Sequence, residues 1–295
     1  MKILVLGSKG QIGRCLMDQL EKTGLEVIYT SRLQIDITDF TVTKDKILEI
    51  APGIIINVAA FTAVDSAEDM EDQANLINHL AVKNISIICN QINCWLIHLS
   101  TDYVFDGSSN VPYKELDQTN PISVYGATKL EGELAIKSSG CKSIIIRTAW
   151  VFSEYGNNFL KTMLKLGSIK NELSIISDQV GAPTYAQDIA KVIKIIVLKI
   201  IMRKTLSGIY HYCGHKSCSW NEFAKKIFEQ AKIKGMACPD KLNSILSDSY
   251  ITKAVRPKYS VLDCCKIESE FMVQASDWHH GIISAIDKIK KNTEL

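Results

Sequence analysis

Tyr125 and Lys129 stand four residues apart in the run Asn120-Pro-Ile-Ser-Val-Tyr125-Gly-Ala-Thr-Lys129, where the sequence predicts the start of a helix. Four apart on a helix puts both side chains on one face, a turn apart. A free tyrosine has a pKa of about 10. An ammonium held beside it favours the phenolate and turns the pair into a proton donor and acceptor near working pH. Ordinary solvated helix faces also carry this spacing, so the pair gains meaning only from what positions it. The apolar run Cys94-Trp-Leu-Ile-His-Leu99 leads into Ser100-Thr101-Asp102-Tyr103. Ligands of open parallel sheets bind beyond the carboxyl ends of the strands. Thr101 is therefore expected beside Tyr125, with its hydroxyl free to hydrogen-bond a substrate carbonyl. Asp106-Gly107 reads as the β-turn that follows.

The chain opens with a short apolar run, Lys2-Ile-Leu-Val-Leu-Gly7, and continues as Gly7-Ser-Lys-Gly10-Gln11-Ile12-Gly13 before a stretch of helical period. Strand, glycine turn and helix form the context of a dinucleotide fingerprint, here spaced G-x-x-G-x-x-G. Glycines let the backbone approach a pyrophosphate, and the new helix offers it free N–H groups. The next strand, Glu26 to Thr30, ends in Ser31-Arg32. An acidic residue at this place binds a free ribose 2′-hydroxyl, whereas arginine suits a 2′-phosphate. The expected cofactor is therefore NADPH, with NADH as the alternative. Asp36 and Ile37 are expected to flank the adenine.

Apolar strands near 2–6, 25–30, 53–58, 94–100 and 143–148 alternate with amphipathic helices near 11–23, 41–50, 70–92 and 124–139. That alternation predicts an α/β fold, a Rossmann-type doubly wound parallel sheet. Asn78, on the third helix, either supports the site or bonds locally. Beyond Trp150 the regularity fades, with a helix from Phe159 to Gly167 and a strand at Leu173–Ser177. We expect a dinucleotide-binding domain over 1–167, rejoined by 185–203, and a smaller mixed α/β substrate lobe mainly within 168–295. No Gly/Ser linker separates the two, so the chain should cross between them more than once and leave a cleft for ligand.

With 295 residues, 46% hydrophobic and 22% charged, and a net charge of +2, the composition is that of a globular chain with a sizeable core. No basic stretch interleaved with aromatics points to nucleic acid. The apolar stretch Val192 to Met202 is too short and too lysine-rich for a membrane span. The first strand begins almost at residue 1, which leaves no room for a signal peptide, and nine scattered cysteines suggest reduced thiols; a cytoplasmic location is expected. His211-Tyr-Cys213-Gly-His215-Lys-Ser-Cys218 offers four zinc-ligand types, but Gly208–Tyr212 alternates like a strand and Ser217–Glu222 reads as a helix start with a capping box, so no metal is expected there.

These residues resemble the extended short-chain dehydrogenase/reductase family, and within it the dTDP-4-dehydrorhamnose reductases. The resemblance covers nearly the whole chain. It is carried by Gly7–Gly13, Asn57–Asp65, Ser100–Phe105, Tyr125–Lys129, Arg147–Val151, Gly156–Met163, Asp178–Thr184 and Arg256-Pro257. Sugar-nucleotide dehydratases of this fold have Asp-Glu after the threonine, where this chain has Asp102-Tyr103, and epimerases lack the Thr-Asp-Tyr run. The resemblance implies reduction of the C4 keto group of dTDP-6-deoxy-L-lyxo-4-hexulose to dTDP-L-rhamnose, a step of nucleotide-sugar and surface-polysaccharide biosynthesis. Tyr125 would be the proton donor, Lys129 would bind the nicotinamide ribose, and Thr101 would bond the same oxygen as Tyr125. Leu99, Ala59, Ala60, Phe61 and Thr62 would lie against the cofactor. Asp102, Tyr103 and Trp150 would contact the sugar, although Trp150 also reads as a core residue, and Asn158 and Arg256 would hold the diphosphate. Relatives commonly carry histidine where this chain has Phe61. Some relatives dimerise around Mg²⁺ held by carboxylates; two of those positions are Cys15 and Gln187 here, so no Mg²⁺-bridged dimer is expected. Two alternatives stay open: a reductase of another nucleotide-linked 4-ketosugar, or a regulatory subunit resembling the β-subunit of methionine adenosyltransferase.

Overall fold

The first strands are apolar on both faces, as strands buried between two helical layers must be. Ile3–Leu6 (β1) and Ile54–Asn57 (β3) are buried at every residue. With Val27–Thr30 (β2), Trp95–Thr101 (β4), Ser143–Thr148 (β5) and Gly208–His211 they form one six-stranded sheet. The structure, a computed structural model, describes residues 1–203 and 207–293. The order across the sheet is Gly208–His211, β5, β4, β3, β1, β2, and every pairing is parallel. The chain runs outward from β1 to β2 and then returns past β1 to β3. This reversal sets a topological switch point between β1 and β3, where such sheets bind ligands.

The helices Gln11–Leu20 and Ala186–Ile201 cover one face, packing Leu16, Ile189 and Ile193 against Ile3, Val5 and Ile56. The helices Phe40–Ile50 and Ala81–Gln91 cover the other, packing Ile47, Val82 and Ile85 against Leu4, Leu6 and Ile55. The helix expected near 70–92 is interrupted by a π turn at Leu76–Leu80. π turns often mark functional sites, and this one carries the buried Asn78. Its Oδ1 accepts from the Phe61 N–H at 2.9 Å, and its Nδ2 donates to the Phe61 carbonyl at 3.1 Å and to Thr128 Oγ1 at 3.2 Å.

The smaller lobe packs the helices Phe159–Gly167, Trp220–Ile233 and Trp278–Thr293 with a parallel strand pair, Glu172–Ile176 and Lys241–Ile245. Its core holds Phe152, Phe223, Phe228 and Trp278. A capping box of Ser219 and Glu222 opens Trp220–Ile233, as the sequence predicts. The strand Gly208–His211 lies within the span expected to belong mainly to this lobe, yet it pairs with β5 and extends the main sheet. Tyr210 drives this by burying its ring in the main core. Among the zinc-ligand types, His211 and His215 bond the carbonyls of Tyr113 and Ser276, and Cys213 lies against Cys264. Among the described residues no helix is long and apolar enough to cross a membrane.

Candidate active site

Two connected cavities follow the switch point. The larger, of about 540 Å³, runs from Gly10, Gln11 and Ile12 past Ala59, Ala60 and Thr62 to Leu99, Thr101, Asp102, Tyr103, Tyr125 and Lys129, and ends at Trp150, Trp220 and Arg256. The smaller, of about 300 Å³, continues past Gly7, Lys9 and Gly10 to Ser31, Arg32, Asp36 and Ile37. The two share Gly10, Val58, Ala59 and Ala60, so together they make one groove across the sheet edge.

The glycine turn is built for close approach. Gly7 has φ +85°, and a Cβ there would lie 2.7 Å from the Ala59 nitrogen. A Cβ on Gly13 would come within 2.5 Å of the Gly7 carbonyl and the Ser8 backbone. Gly13 therefore seats the helix under the turn and does not line the groove. The helix Gln11–Leu20 has no acidic residue in its first turn and no side-chain cap, so its leading N–H groups face the groove unopposed. This combination fits a dinucleotide pyrophosphate.

Tyr125 is brought to Thr101 by local rules at two elements. Ser123 caps the helix Val124–Ser139 by accepting from the Gly126 N–H at 3.2 Å. A Cβ on Gly126 would overlap the Tyr103 carbonyl, so glycine permits this helix start to press onto the turn after β4. That turn is capped by Thr101, whose Oγ1 accepts from the Tyr103 N–H at 3.2 Å and donates to Asp102 Oδ1 at 3.0 Å. The Tyr125 ring meets Tyr103 edge-on at 5.6 Å. Desolvation pushes the Tyr125 hydroxyl above its ordinary pKa, while the Thr101 hydroxyl opposes the rise. Tyr125 is thus a phenol at neutral pH.

Lys129 departs from the sequence expectation. Its Nζ donates to the Leu99 carbonyl at 2.6 Å and lies 3.2 Å from His98 Nε2, so it is drawn toward β4. Burial lowers it to about 8, with Glu133 opposing. Desolvation likewise raises Asp102 to about 6, tempered by Ser260 and Thr101. Its Oδ2 has no hydrogen-bond partner.

At the far end Trp150 stacks on Trp220, with ring centroids 3.4 Å apart and planes 5° from parallel. Trp150 adopts φ +45°, which turns its indole toward the smaller lobe, and Gly181 leaves room for it. Arg256 pairs with Asp65 at 2.6 Å and donates to the Tyr103 hydroxyl at 3.2 Å.

Two expected site residues besides Gly13 lie elsewhere. Asn158 caps the helix Phe159–Gly167, and its Nδ2 donates to Gln11 Oε1 at 2.9 Å and to the carbonyls of Ser153 and Tyr155, so its neighbours Gly156 and Asn157 line the groove instead. Phe61 lines neither cavity, because Asn78 binds both of its backbone polar groups. Several residues not expected at the site line the groove, among them Lys9, Asn157, Trp220 and Thr148, whose buried Oγ1 is unpartnered. Lys9 lies inside the glycine turn, and Thr148 and Asn157 lie inside the motifs Arg147–Val151 and Gly156–Met163, whereas Trp220 carried no such signal.

The RmlD substrate binding domain model matches residues 1–291. A dTDP-4-dehydrorhamnose reductase from Aggregatibacter actinomycetemcomitans is 41% identical over 284 residues, 95% of this chain and 97% of that one. The crystal structure of a dTDP-4-dehydrorhamnose reductase from Clostridium acetobutylicum superposes with a TM-score of 0.90 at 38% identity, covering 98% of this chain and 100% of that one. That of a Bacillus anthracis dTDP-4-dehydrorhamnose reductase, in complex with NADP, gives 0.88 at 33% identity, covering 97% and 99%.

Proposed function

Because the chain belongs to the RmlD substrate binding domain family, with the dTDP-4-dehydrorhamnose reductases, we propose that it reduces the C4 carbonyl of dTDP-6-deoxy-L-lyxo-4-hexulose to give dTDP-L-rhamnose, using NADPH. The observation that carries this reading is the placement of Tyr125 beside Thr101 at the carboxyl end of β4, with Lys129 one turn along. A nicotinamide cofactor held along Ala59, Ala60, Thr62 and Leu99 would supply the hydride. Tyr125, held as a phenol, delivers its proton to the oxygen that gains charge. Thr101 has one proton, which points to Asp102 Oδ1 in this structure, and turns it to that oxygen as a second hydrogen bond. A proton donor of this kind contributes about 10²–10⁴-fold.

Residues of the groove divide by position. Gly7, Gly10, Gln11 and Ile12 receive the pyrophosphate, with Ala59, Ala60, Thr62 and Leu99 against the cofactor. Ser31, Arg32 and Lys9 take the adenosine 2′-phosphate, and the bound NADP of the Bacillus anthracis relative supports that choice. Asp102 and Tyr103 receive the sugar, and the Trp150–Trp220 stack supplies a flat apolar wall beyond it. Arg256 is placed to exchange part of its bond with Asp65 for the diphosphate, whose geometry suits the guanidinium fork. A cytoplasmic location accords with the supply of NADPH.

The test is NADPH oxidation by the purified protein with the ketosugar generated from dTDP-glucose, beside other nucleotide-linked 4-ketosugars. Turnover fastest with the dTDP-linked lyxo-hexulose is the expected result. Turnover only with another ketosugar would reassign the substrate, and no turnover with any would favour a regulatory subunit.

A further inference from the structure

Gln11 carries a side-chain amide that the reaction outlined above does not use. Its backbone opens the helix Gln11–Leu20 at the glycine turn, while its side chain reaches across to the loop that follows Phe152. Oε1 accepts from Asn158 Nδ2 at 2.9 Å and lies 3.0 Å from the Ser153 hydroxyl, and Nε2 donates to the Asn157 carbonyl at 3.4 Å. The amide is thus spent on partners 142 to 147 residues further along the chain.

The loop lies along one face of that helix. Gln11, Arg14 and Asp18 follow one another at spacings of three and four, which puts them on one face. The Arg14 guanidinium stands 5.5 Å from the centre of the Tyr155 ring, and the Tyr155 hydroxyl donates to Asp18 Oδ2 at 3.1 Å. Gly156 permits the close fit: its φ is +61°, and a Cβ there would come within 2.9 Å of Gln11 Cγ. Gly156 and Asn157 are exposed and line the same cavity as Gly10, Gln11 and Ile12, so they wall the pyrophosphate seat on its solvent side. Asn158 divides its amide between two tasks. Its Oδ1 accepts from the Lys161 N–H at 3.1 Å and caps the helix Phe159–Gly167, while Nδ2 holds Gln11.

We propose that the Gln11 side chain, with Asn158, latches the loop Tyr155–Asn158 over the pyrophosphate seat and so gates entry and release of the dinucleotide. This rests on the cofactor assignment above. The latch uses side chains and a carbonyl, whereas the pyrophosphate takes backbone N–H groups of the turn, so the two do not compete. A closed latch therefore favours neither the bound nor the free form. Its opening is a step on the way in and on the way out, so it governs both rates and leaves the affinity almost unchanged. Such gating steps set turnover where product release is slow.

The experiment is stopped-flow fluorescence of NADPH binding to the full chain, in the parent, Gln11→Met and Asn158→Ser. Methionine keeps the stem against Gly156 and the backbone N–H of residue 11 but loses the amide. Serine caps a helix as asparagine does, so Asn158→Ser keeps the helix start and loses only Nδ2. Each variant should speed association and dissociation alike, by about three- to tenfold for a lost hydrogen bond, with Kd within about twofold of the parent. Thermal melts establish folding, and either folded variant suffices. A parental dissociation rate would overturn the proposal. So would faster dissociation with unchanged or slower association, which would make the loop a plain cofactor contact. The readout uses no ketosugar, so a parent that binds NADPH but reduces nothing fails the reductase reading alone. A parent that binds no NADPH overturns the cofactor assignment and the latch together.

Discussion

Replacing Tyr125 by phenylalanine removes one oxygen and leaves the ring in place. The ring keeps its edge-on contact with Tyr103 at 5.6 Å, and Gly126 and Ser123 still fix the helix start. The lost hydroxyl faces Thr101, a contact worth about 0.5–1.5 kcal/mol. For a chain of this size that lowers Tm by only a few degrees. The cost to the reaction is larger, because the neighbouring phenol, Tyr103, has its hydroxyl bound by Arg256 at 3.2 Å, and no acid or imidazolium replaces the donor. Asp102 is held up to about 6 and so is largely ionised at neutral pH, and His98 is buried behind Lys129. Loss of a positioned acid costs about 10²–10⁴ in rate, or about 3–5 kcal/mol of barrier at ~1.4 kcal/mol per tenfold. The assay is steady-state NADPH oxidation with the ketosugar, with cofactor affinity measured by fluorescence and folding by thermal melt. We expect unchanged NADPH affinity, a near-parental melt and a kcat lowered by two to four orders of magnitude. A folded variant with near-parental kcat at pH 7 would remove Tyr125 from the mechanism.

Four further outcomes follow from the groove and its surroundings. Asp102 rises from 3.8 to about 6 on folding, so the stability it allows is fully present below 3.8 and is lost as pH passes 6. Asp102→Asn should therefore melt higher than the parent at pH 7 to 8, by on the order of 3 kcal/mol, and the gap should close near pH 4 in a pH series of melts. A methyl group in Gly181→Ala would overlap the Trp150 indole and push it off Trp220; KM for the ketosugar should rise more than kcat falls, and an unchanged KM would take the indole wall out of substrate binding. Arg32 is exposed and paired with Asp36 at 3.0 Å; Arg32→Ala should shrink the NADPH-over-NADH preference in kcat/KM by about 1.5–3 kcal/mol, and a parent without a preference would refute the cofactor assignment. Cys15 is buried, and Gln187 and Lys288 both bond Glu154, so an amide and an ammonium already satisfy this carboxylate. Activity and sedimentation should be unchanged by EDTA, and an EDTA-sensitive dimer restored by Mg²⁺ would show that Asp18 and Glu154 hold metal after all.

The sequence alone determined the first five strands of the sheet, the glycine turn and the spacing of Tyr125, Lys129 and Thr101, but not that Gly208–His211 extends the same sheet. These rest on local rules: apolar runs long enough for buried strands, a strand–turn–helix with glycines where a Cβ would collide, and a four-residue helical spacing. It also placed part of the small lobe, since the Ser219–Glu222 box and the period of Phe159–Gly167 are local signals, but not the strand Lys241–Ile245 or the helix Trp278–Thr293. Tertiary structure decided what those side chains touch. Spacing put Lys129 next to Tyr125, but the cross-strand register of Asn57 and His98 draws its amine to β4. Asn158 read as a ligand because its motif did, yet Gln11, far away in sequence, and the nearby carbonyls of Ser153 and Tyr155 hold its amide. Trp220 carried no signal, because a tryptophan opening a helix becomes a site residue only when Trp150, seventy residues earlier, stacks upon it. Strand and helix formation is written in neighbours along the chain. Protonation state and ligand contact depend on burial and on partners from other elements, and those exist only once the sheet has set the register.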